Sequence, residues 1–301
     1  MTRDTRRAYL WACALDVVVR KPGNVSVASA GHGMSAGQFI TSAIVSADAI
    51  CERGAPVGGR IEGAIRATRA AVECNTNLGI VLLCAPLAAA AELCDFTSVD
   101  ALRDRLDTTL AGLTVDDARA AYWAIALANP GGLGAAAQQD VRAAPTIDLR
   151  AAMQLAADRD RVAGQYGTGF AEVFGGLASF NRFAEEPATA MLACYLGFLA
   201  SGPDSHIVRK HGGALAHTVT DEARGCLEAW RRSGTPPALD ALAAWDARLK
   251  GAGLNPGTSA DLAVACAFLA ALLDPRLSDL TVPGLAWNVL NTRPTLTRLS
   301  G

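Results

Sequence analysis

Aromatic side chains make up only 6% of the 301 residues, and long apolar runs are scarce as well. The longest, Leu78 to Ala91, covers 14 residues and is interrupted by Pro86. That is short of the roughly 20 residues that cross a bilayer, so no membrane span is expected. Charge of one sign does not prevail: 27 Lys+Arg face 29 Asp+Glu, a formal net charge of −2. This argues against a broadly basic nucleic-acid or membrane-surface binder. CxxC pairs are missing, and the eight cysteines (13, 51, 74, 84, 94, 194, 226 and 266) are dispersed through Ala/Leu-rich segments. Neither a disulfide framework nor a zinc site is expected, and a reducing cytoplasm fits this usage. The first seven residues are mixed in charge and Asp16 breaks the apolar stretch that follows, so a signal peptide is not expected either. Sustained period-two alternation is absent, and no phosphate-binding glycine motif follows a strand-like segment. What remains is a chain that is 51% apolar and 19% charged, too hydrophobic to be disordered. Its wealth of Ala and Leu favours tightly packed helices over sheet.

The periodicity agrees. Ala36, Phe39, Ile40, Ala43, Ile44, Ala47 and Ile50 follow one helical stripe, opened by the Ser35/Gln38 capping-box pattern. A second helix begins near Gly59, with Ile61, Ala64, Ile65, Thr68, Ala71 and Val72 facing inward. Further helices are expected at about 5–19, 98–111, 115–128, 148–163, 188–200, 213–232, 238–250 and 259–273. The expected fold is all-α: a single compact multi-helix domain over 1–301, its helices joined by short Gly/Pro/Asn-rich turns. Residues 276–301 read as an irregular C-terminal tail packed on the body.

Polar residues concentrate at the helix breaks, where unpaired backbone N–H groups are available. Four breaks can carry chemistry. Arg20-Lys21-Pro22-Gly23-Asn24, followed by Gly31-His32-Gly33-Met34, offers a cation beside exposed amides, a plausible phosphate cradle; a plain helix-ending turn uses the same residues. Asn75-Thr76-Asn77-Leu78-Gly79 offers donors and acceptors suited to a base or ribose, or simply helix capping. Asp204-Ser205-His206-Ile207-Val208-Arg209-Lys210-His211-Gly212-Gly213 gathers a carboxylate, two imidazoles and two cations; a solvated loop is the bland alternative. Asn255-Pro256-Gly257-Thr258-Ser259-Ala260-Asp261 opens the last helix, where Asp261 either faces a pocket or merely complements the helix dipole. Asp16 and Asp48 are weaker candidates, with Asp48 on the polar face of its helix. The Asn129–Gly134 loop could also touch ligand backbone, although glycines between helices need no ligand to explain them, and His217 reads as a helix-face histidine.

Taken together and in this order, Lys-Pro-Gly-Asn-Val with Gly-His-x-Met, Asn-Thr-Asn-x-Gly, Asp-Ser-His with His-Gly-Gly, and Asn-Pro-Gly-x-Ser-Ala-Asp-Leu resemble the triphosphoribosyl-dephospho-CoA synthase family, from about residue 8 to 275. The resemblance implies an all-helical transferase. Such an enzyme releases adenine from ATP and joins the triphosphoribosyl group through C1 to the 2′-hydroxyl of 3′-dephospho-CoA. The product is the prosthetic-group precursor of citrate lyase and malonate decarboxylase acyl-carrier subunits. It further implies nucleotide or phosphate contacts from Lys21, Gly23, Asn24, Asn75, Thr76, Asn77, Arg209, Gly212, Gly213, Gly257 and Ser259. Asp204, Asp261, His206 and His32 are the implied catalytic residues. The triphosphate calls for Mg²⁺, with Asp204 and Asp261 as its candidate ligands. Where the citrate-lyase type has His-x-Asp-Met, this chain has His32-Gly33-Met34; its Thr-Asn-Thr-His-Lys-Gly becomes Cys74-Asn75-Thr76-Asn77-Leu78-Gly79. Arg-Gly-Gly becomes His211-Gly212-Gly213, and the set is closer to the branch found in methanogens and methylotrophs.

Breaking the N-glycosidic bond passes through an oxocarbenium-like state, which a carboxylate can stabilise while an imidazole assists the leaving base. Two alternatives stand beside the synthase. One is a diverged ATP- and Mg²⁺-dependent homologue with another acceptor, as in one-carbon cofactor biosynthesis. The other is a non-catalytic nucleotide-binding helical protein. In each case the expected partners are small molecules, with no nucleic acid or membrane. The Ala-rich helical faces would permit a homodimer.

Overall fold

The computed structural model describes residues 4–92, 98–132, 134, 136 and 138–282. Among them the chain forms α-helices and no β-strand. In order these are α1 (Thr5–Val18), α2 (Ala36–Ile50), α3 (Val57–Val72), α4 (Leu78–Glu92), α5 (Val99–Ala111), α6 (Val115–Ala128), α7 (Leu149–Gln154), α8 (Arg161–Thr168), α9 (Ala171–Asn181), α10 (Pro187–Ser201), α11 (Ser205–His211), α12 (Gly213–Ser233), α13 (Leu239–Gly251) and α14 (Gly257–Leu273). A 3-10 turn at Pro275–Asp279 follows. The all-α expectation holds. No described helix is long and apolar enough to cross a membrane.

Helix starts are set by short polar side chains that take up otherwise open amides. Asp4 accepts from the Arg7 N–H at 2.9 Å at the start of α1, and Gln38 reaches back to the Ser35 N–H at 2.9 Å at the start of α2. Thr114 and Asp117 form a reciprocal capping box on α6. Asp117 also accepts from the Gly58 N–H at 2.7 Å. A Cβ on Gly58 would lie 2.8 Å from the Asp117 carbonyl oxygen, so α3 and α6 touch backbone to backbone.

Helix α14 is the axis of the core. It is buried from Leu262 through Leu272, with α1, α4, α9 and α10 packed around it. Small residues let these helices approach closely: a Cβ on Gly176 of α9 would come 2.6 Å from Phe198 Cζ and 3.0 Å from Cys266 Sγ. The few aromatics are placed centrally, with Tyr9 edge-on to Phe268 at 5.9 Å and Trp11 edge-on to Phe180 at 6.2 Å. Each buried Leu or Phe contributes about 1.5–3 kcal/mol of transfer free energy, which is what holds an Ala-rich helix in the centre.

Several segments differ from the sequence reading. The helix expected over 148–163 breaks into α7 and α8, because Asp160 turns its carboxylate onto the Val162 and Ala163 amides and starts a new helix. Helix α8 runs through Gly164 and Gly167 to Thr168 and ends at Gly169 in the left-handed region, after which α9 begins. Helix α9 and the seven-residue α11 carry too little periodicity to be read beforehand. On α3 the inward stripe includes Ile61, Ala64, Ile65 and Thr68 but not Ala71, which is exposed. Of the expected tail, 283–301 lies outside the described residues, as does Cys94.

Candidate active site

The helix breaks converge on one cavity of about 650 Å³. Its walls come from the turns after α1, α3 and α6, the α7–α8 junction, α11, and the first turn of α14. Phe39, Leu82, Ile125, Met153 and Val162 supply an apolar side, and Asn24, Asn75, Thr76, Asn77 and Asp261 a polar one.

The two carboxylates expected to react occupy different places. Asp204 caps α11, its Oδ1 accepting from the amides of His206 (2.9 Å) and Ile207 (3.3 Å). Its Oδ2 accepts from the amide (2.7 Å) and hydroxyl (2.8 Å) of Ser259, so one carboxylate ties α11 to the first turn of α14. Asp204 and Ser259 are fully buried and do not line the cavity. Burial raises the Asp204 pKa although the Ser259 hydrogen bonds oppose it. Asp261 does line the cavity, and no described donor hydrogen-bonds its carboxylate. Gly79 makes room for it, because a Cβ there would overlap the Asp261 carboxylate. Desolvation, then the like charges of Asp16, Asp204 and Asp160, push the Asp261 pKa well above the usual carboxylate range, while Arg209 opposes them.

Lys21 is not a phosphate ligand in this geometry. Its stem and ammonium are fully buried, and Nζ pairs with Asp16 Oδ1 at 3.0 Å and donates to the Asp16 carbonyl. Gly23 is likewise turned away. With φ at +82° it donates to Asp246 Oδ1 at 2.9 Å, and a Cβ would meet Pro256 Cδ at 2.7 Å. The close approach that requires glycine there is to the Asn255-Pro256 turn and not to a ligand. Gly212 and Gly213 are exposed at the α11–α12 junction and lie outside the cavity wall, with Gly212 at φ +87°.

The remaining expected residues do line the cavity: Asn24, His32, Asn75, Thr76, Asn77, His206, Arg209 and Gly257. Asn24 donates to Asn255 Oδ1 at 3.1 Å, and Asn75 accepts from the Leu78 N–H at 3.2 Å at the start of α4. Thr76 pairs with Ser42 at 2.6 Å. The side-chain amide oxygens Oδ1 of Asn24 and Asn77 are buried without a hydrogen-bond donor, on two residues of the wall. His32, at φ +57°, places Nε2 at 2.8 Å from the Gly23 carbonyl. Gly257 leaves space for His206, since a Cβ would come 2.6 Å from its Nδ1. Burial, with Lys210 and Arg209 nearby, lowers the His206 pKa to about 3, so its imidazole is neutral at physiological pH. Its ring can accept a hydrogen bond but carries no extra proton to give, unlike the acid expected from sequence.

Sequence reasoning missed Arg159, Asp160 and Tyr122 as cavity residues, and it counted Lys210 among the cations of its break without assigning it to the site. Arg159 and Asp160 were hidden inside a helix that does not run through them. Lys210 shares the Asp204–Gly213 stretch, and no local signal marks Tyr122. Arg209 donates to the Gly131 carbonyl at 3.0 Å and pairs with Asp160 at 3.3 Å. As to Mg²⁺, Asp204 does not fit, because both its oxygens are occupied by amides and a hydroxyl. Asp261 fits as a single carboxylate of the kind that joins substrate phosphates around the ion. Among the described residues no group of three or more His, Cys, Asp or Glu is arranged to hold a metal alone.

A large, partly apolar cavity with an unpaired carboxylate and cations on its wall has the make-up of a small-molecule site. The chain belongs to the ATP:dephospho-CoA triphosphoribosyl transferase (CitG) family, which matches residues 2–279. Among solved structures it is similar to a candidate triphosphoribosyl-dephospho-CoA synthase from Archaeoglobus fulgidus, at 21% identity and a TM-score of 0.62. That likeness covers 78% of this chain and 98% of the other, and it supports the fold. No curated protein matches the sequence.

Proposed function

We propose that this chain releases adenine from ATP and joins the triphosphoribosyl group through C1 to the 2′-hydroxyl of 3′-dephospho-CoA. The observation that carries the reading is Asp261, a carboxylate without hydrogen-bond donors on the wall of a 650 Å³ cavity that also holds Arg159, Arg209 and Lys210. A reaction with an oxocarbenium-like transition state needs such a carboxylate, either to stabilise the positive C1 or to take the proton of the attacking hydroxyl. The orphaned acceptors of Asn24 and Asn77 suit the amino and hydroxyl donors of a nucleoside. Neutral His206 can accept a hydrogen bond from substrate, and its basicity rises when phosphates offset the cations beside it. Mg²⁺ bound with the triphosphate would neutralise charge, with Asp261 as its one protein carboxylate. In this reading Asp204 positions His206 and the first turn of α14 and does not touch substrate. A cytoplasmic setting accords with the free thiols of the described cysteines.

The test is mass spectrometry of the protein with ATP, Mg²⁺ and 3′-dephospho-CoA. Free adenine and a CoA species heavier by one triphosphoribosyl group are expected, and both should vanish in Asp261→Asn. Adenine without the CoA product would point to another acceptor, the reading that the His32-Gly33-Met34 departure keeps in view. Bound ATP with no adenine would favour a nucleotide sensor.

A further inference from the structure

The turn after α6 was explicable from sequence without a ligand, yet it lies on the cavity wall against two cations. Gly131 packs on the stem of Lys210, where a Cβ would come 2.8 Å from Cε. Gly132, at φ +76°, packs on Arg209, where a Cβ would come 2.9 Å from Cγ. The Gly131 carbonyl fixes Arg209 Nε at 3.0 Å. Arg159, on the α7–α8 junction, lines the same cavity, its guanidinium donating among the described residues only to the Leu155 carbonyl at 3.4 Å. Among the described residues neither Arg159 nor Lys210 has an acidic partner, whereas thirteen other ion pairs occupy cations elsewhere in the fold. Arg159, Lys210, Gly131 and Gly132 are all exposed, while Asp261 and the Asn77 amide lie at the deeper side.

We infer that Arg159, Lys210 and Arg209, which line one cavity with Lys210 and Arg209 seated on the Gly131–Gly132 turn, form a polyphosphate cradle on its open side that receives the triphosphate of the donor nucleotide. Cations without an acidic partner on a cavity wall supply the charge and N–H donors that phosphate oxygens need, and Gly131 and Gly132 give the stems of Lys210 and Arg209 room to lie against the turn. Arg159 and Lys210 hold the phosphates as ligands, and Asp160 keeps Arg209 oriented toward the same space. The assignment deepens the proposed reaction and rests on it for the identity of the nucleotide. Both substrates carry phosphates. Three cations on one rim match the more highly charged triphosphate over the diphosphate bridge of dephospho-CoA.

The experiment uses the full chain and the exposed-site variants Arg159→Gln, Lys210→Gln and the pair, with thermal melts to show that each remains folded. Inorganic tripolyphosphate is titrated calorimetrically into each protein. Binding should weaken by about tenfold per cation removed, as expected for a charge-assisted contact. In steady state, KM for ATP should rise by at least as much in the double variant while KM for dephospho-CoA stays within twofold. Unchanged tripolyphosphate binding in the double variant would overturn the cradle. A rise in KM for dephospho-CoA alone would overturn the assignment to the donor. If the wild-type protein releases no adenine at all, the proposed function fails, and loss of tripolyphosphate binding in the double variant still supports the cradle.

Discussion

Asp204 meets four donors within 3.3 Å, whereas Asp261, in the same turn of α14 as the Ser259 that Asp204 grips, meets none. Both are acidic side chains removed from bulk water, and burial raises the pKa of both. The difference lies in what the fold does about it. Around Asp204 the chain offers amides and a hydroxyl, so the carboxylate joins two helix ends. Around Asp261 the chain offers Gly79, which only clears space, together with neighbouring acidic groups. A buried polar group with its partners in place is architecture; one left unpaired on a cavity wall is held ready for something that is not protein.

The comparison can be broken most decisively at the satisfied carboxylate. Asp204→Ala strands four donors and should cost about 3–5 kcal/mol, seen as a large fall in Tm. A loss below about 1 kcal/mol would mean that Asp204 is not the tie between α11 and α14. The Lys21–Asp16 pair is a second test of the same logic. Lys21→Met should cost a similar amount by leaving Asp16 unpaired, and Lys21→Met with Asp16→Leu should recover most of it, measured by chemical denaturation. Asp261→Asn should do the opposite. Relieved of a desolvated charge, the protein should gain about 1 kcal/mol, or about 2–4 °C in Tm, while turnover is lost. A smaller effect is expected at His206. Its folded pKa of about 3 lies below the ordinary value near 6.5, so the folded state binds fewer protons across that window. Its stabilising contribution is therefore complete above pH about 6.5 and fades as pH falls toward about 3. His206→Gln should flatten that part of the Tm-against-pH curve, and an unchanged slope would contradict the burial of the imidazole. The smallest effect belongs to Asp48, exposed and paired only with Arg6 at 2.9 Å. Asp48→Ala should shift stability by less than about 0.5 kcal/mol in a denaturant melt.

Much of the fold was legible because helix periodicity and capping are local properties. The stripe on α2, the Ser35/Gln38 box and the long helices α12, α13 and α14 lie within a few residues of where sequence placed them. Segments decided by distant contacts were not legible. Asp160 starts α8 with a carboxylate whose other oxygen faces Arg209, and α9 is seated by Phe198 and Cys266 packing closely against Gly176. The site divides the same way. The four breaks do converge, but which side chains face the cavity depends on pairings far apart in the chain. Lys21 turned inward because Asp16 lies one helical turn earlier, and Asp204 because Ser259 is brought to it across 55 positions. Arg159 was overlooked because it was read inside a continuous helix and an unpaired cation has no local signature, whereas Lys210 was seen in its break but not assigned to the site.

The most direct test of this account is a paired measurement on Asp261→Asn: adenine release from ATP in the presence of dephospho-CoA, alongside Tm. The account predicts that release falls to background while Tm stays equal to or above that of the wild-type protein. Adenine release that persists at wild-type rate in the folded variant would contradict it.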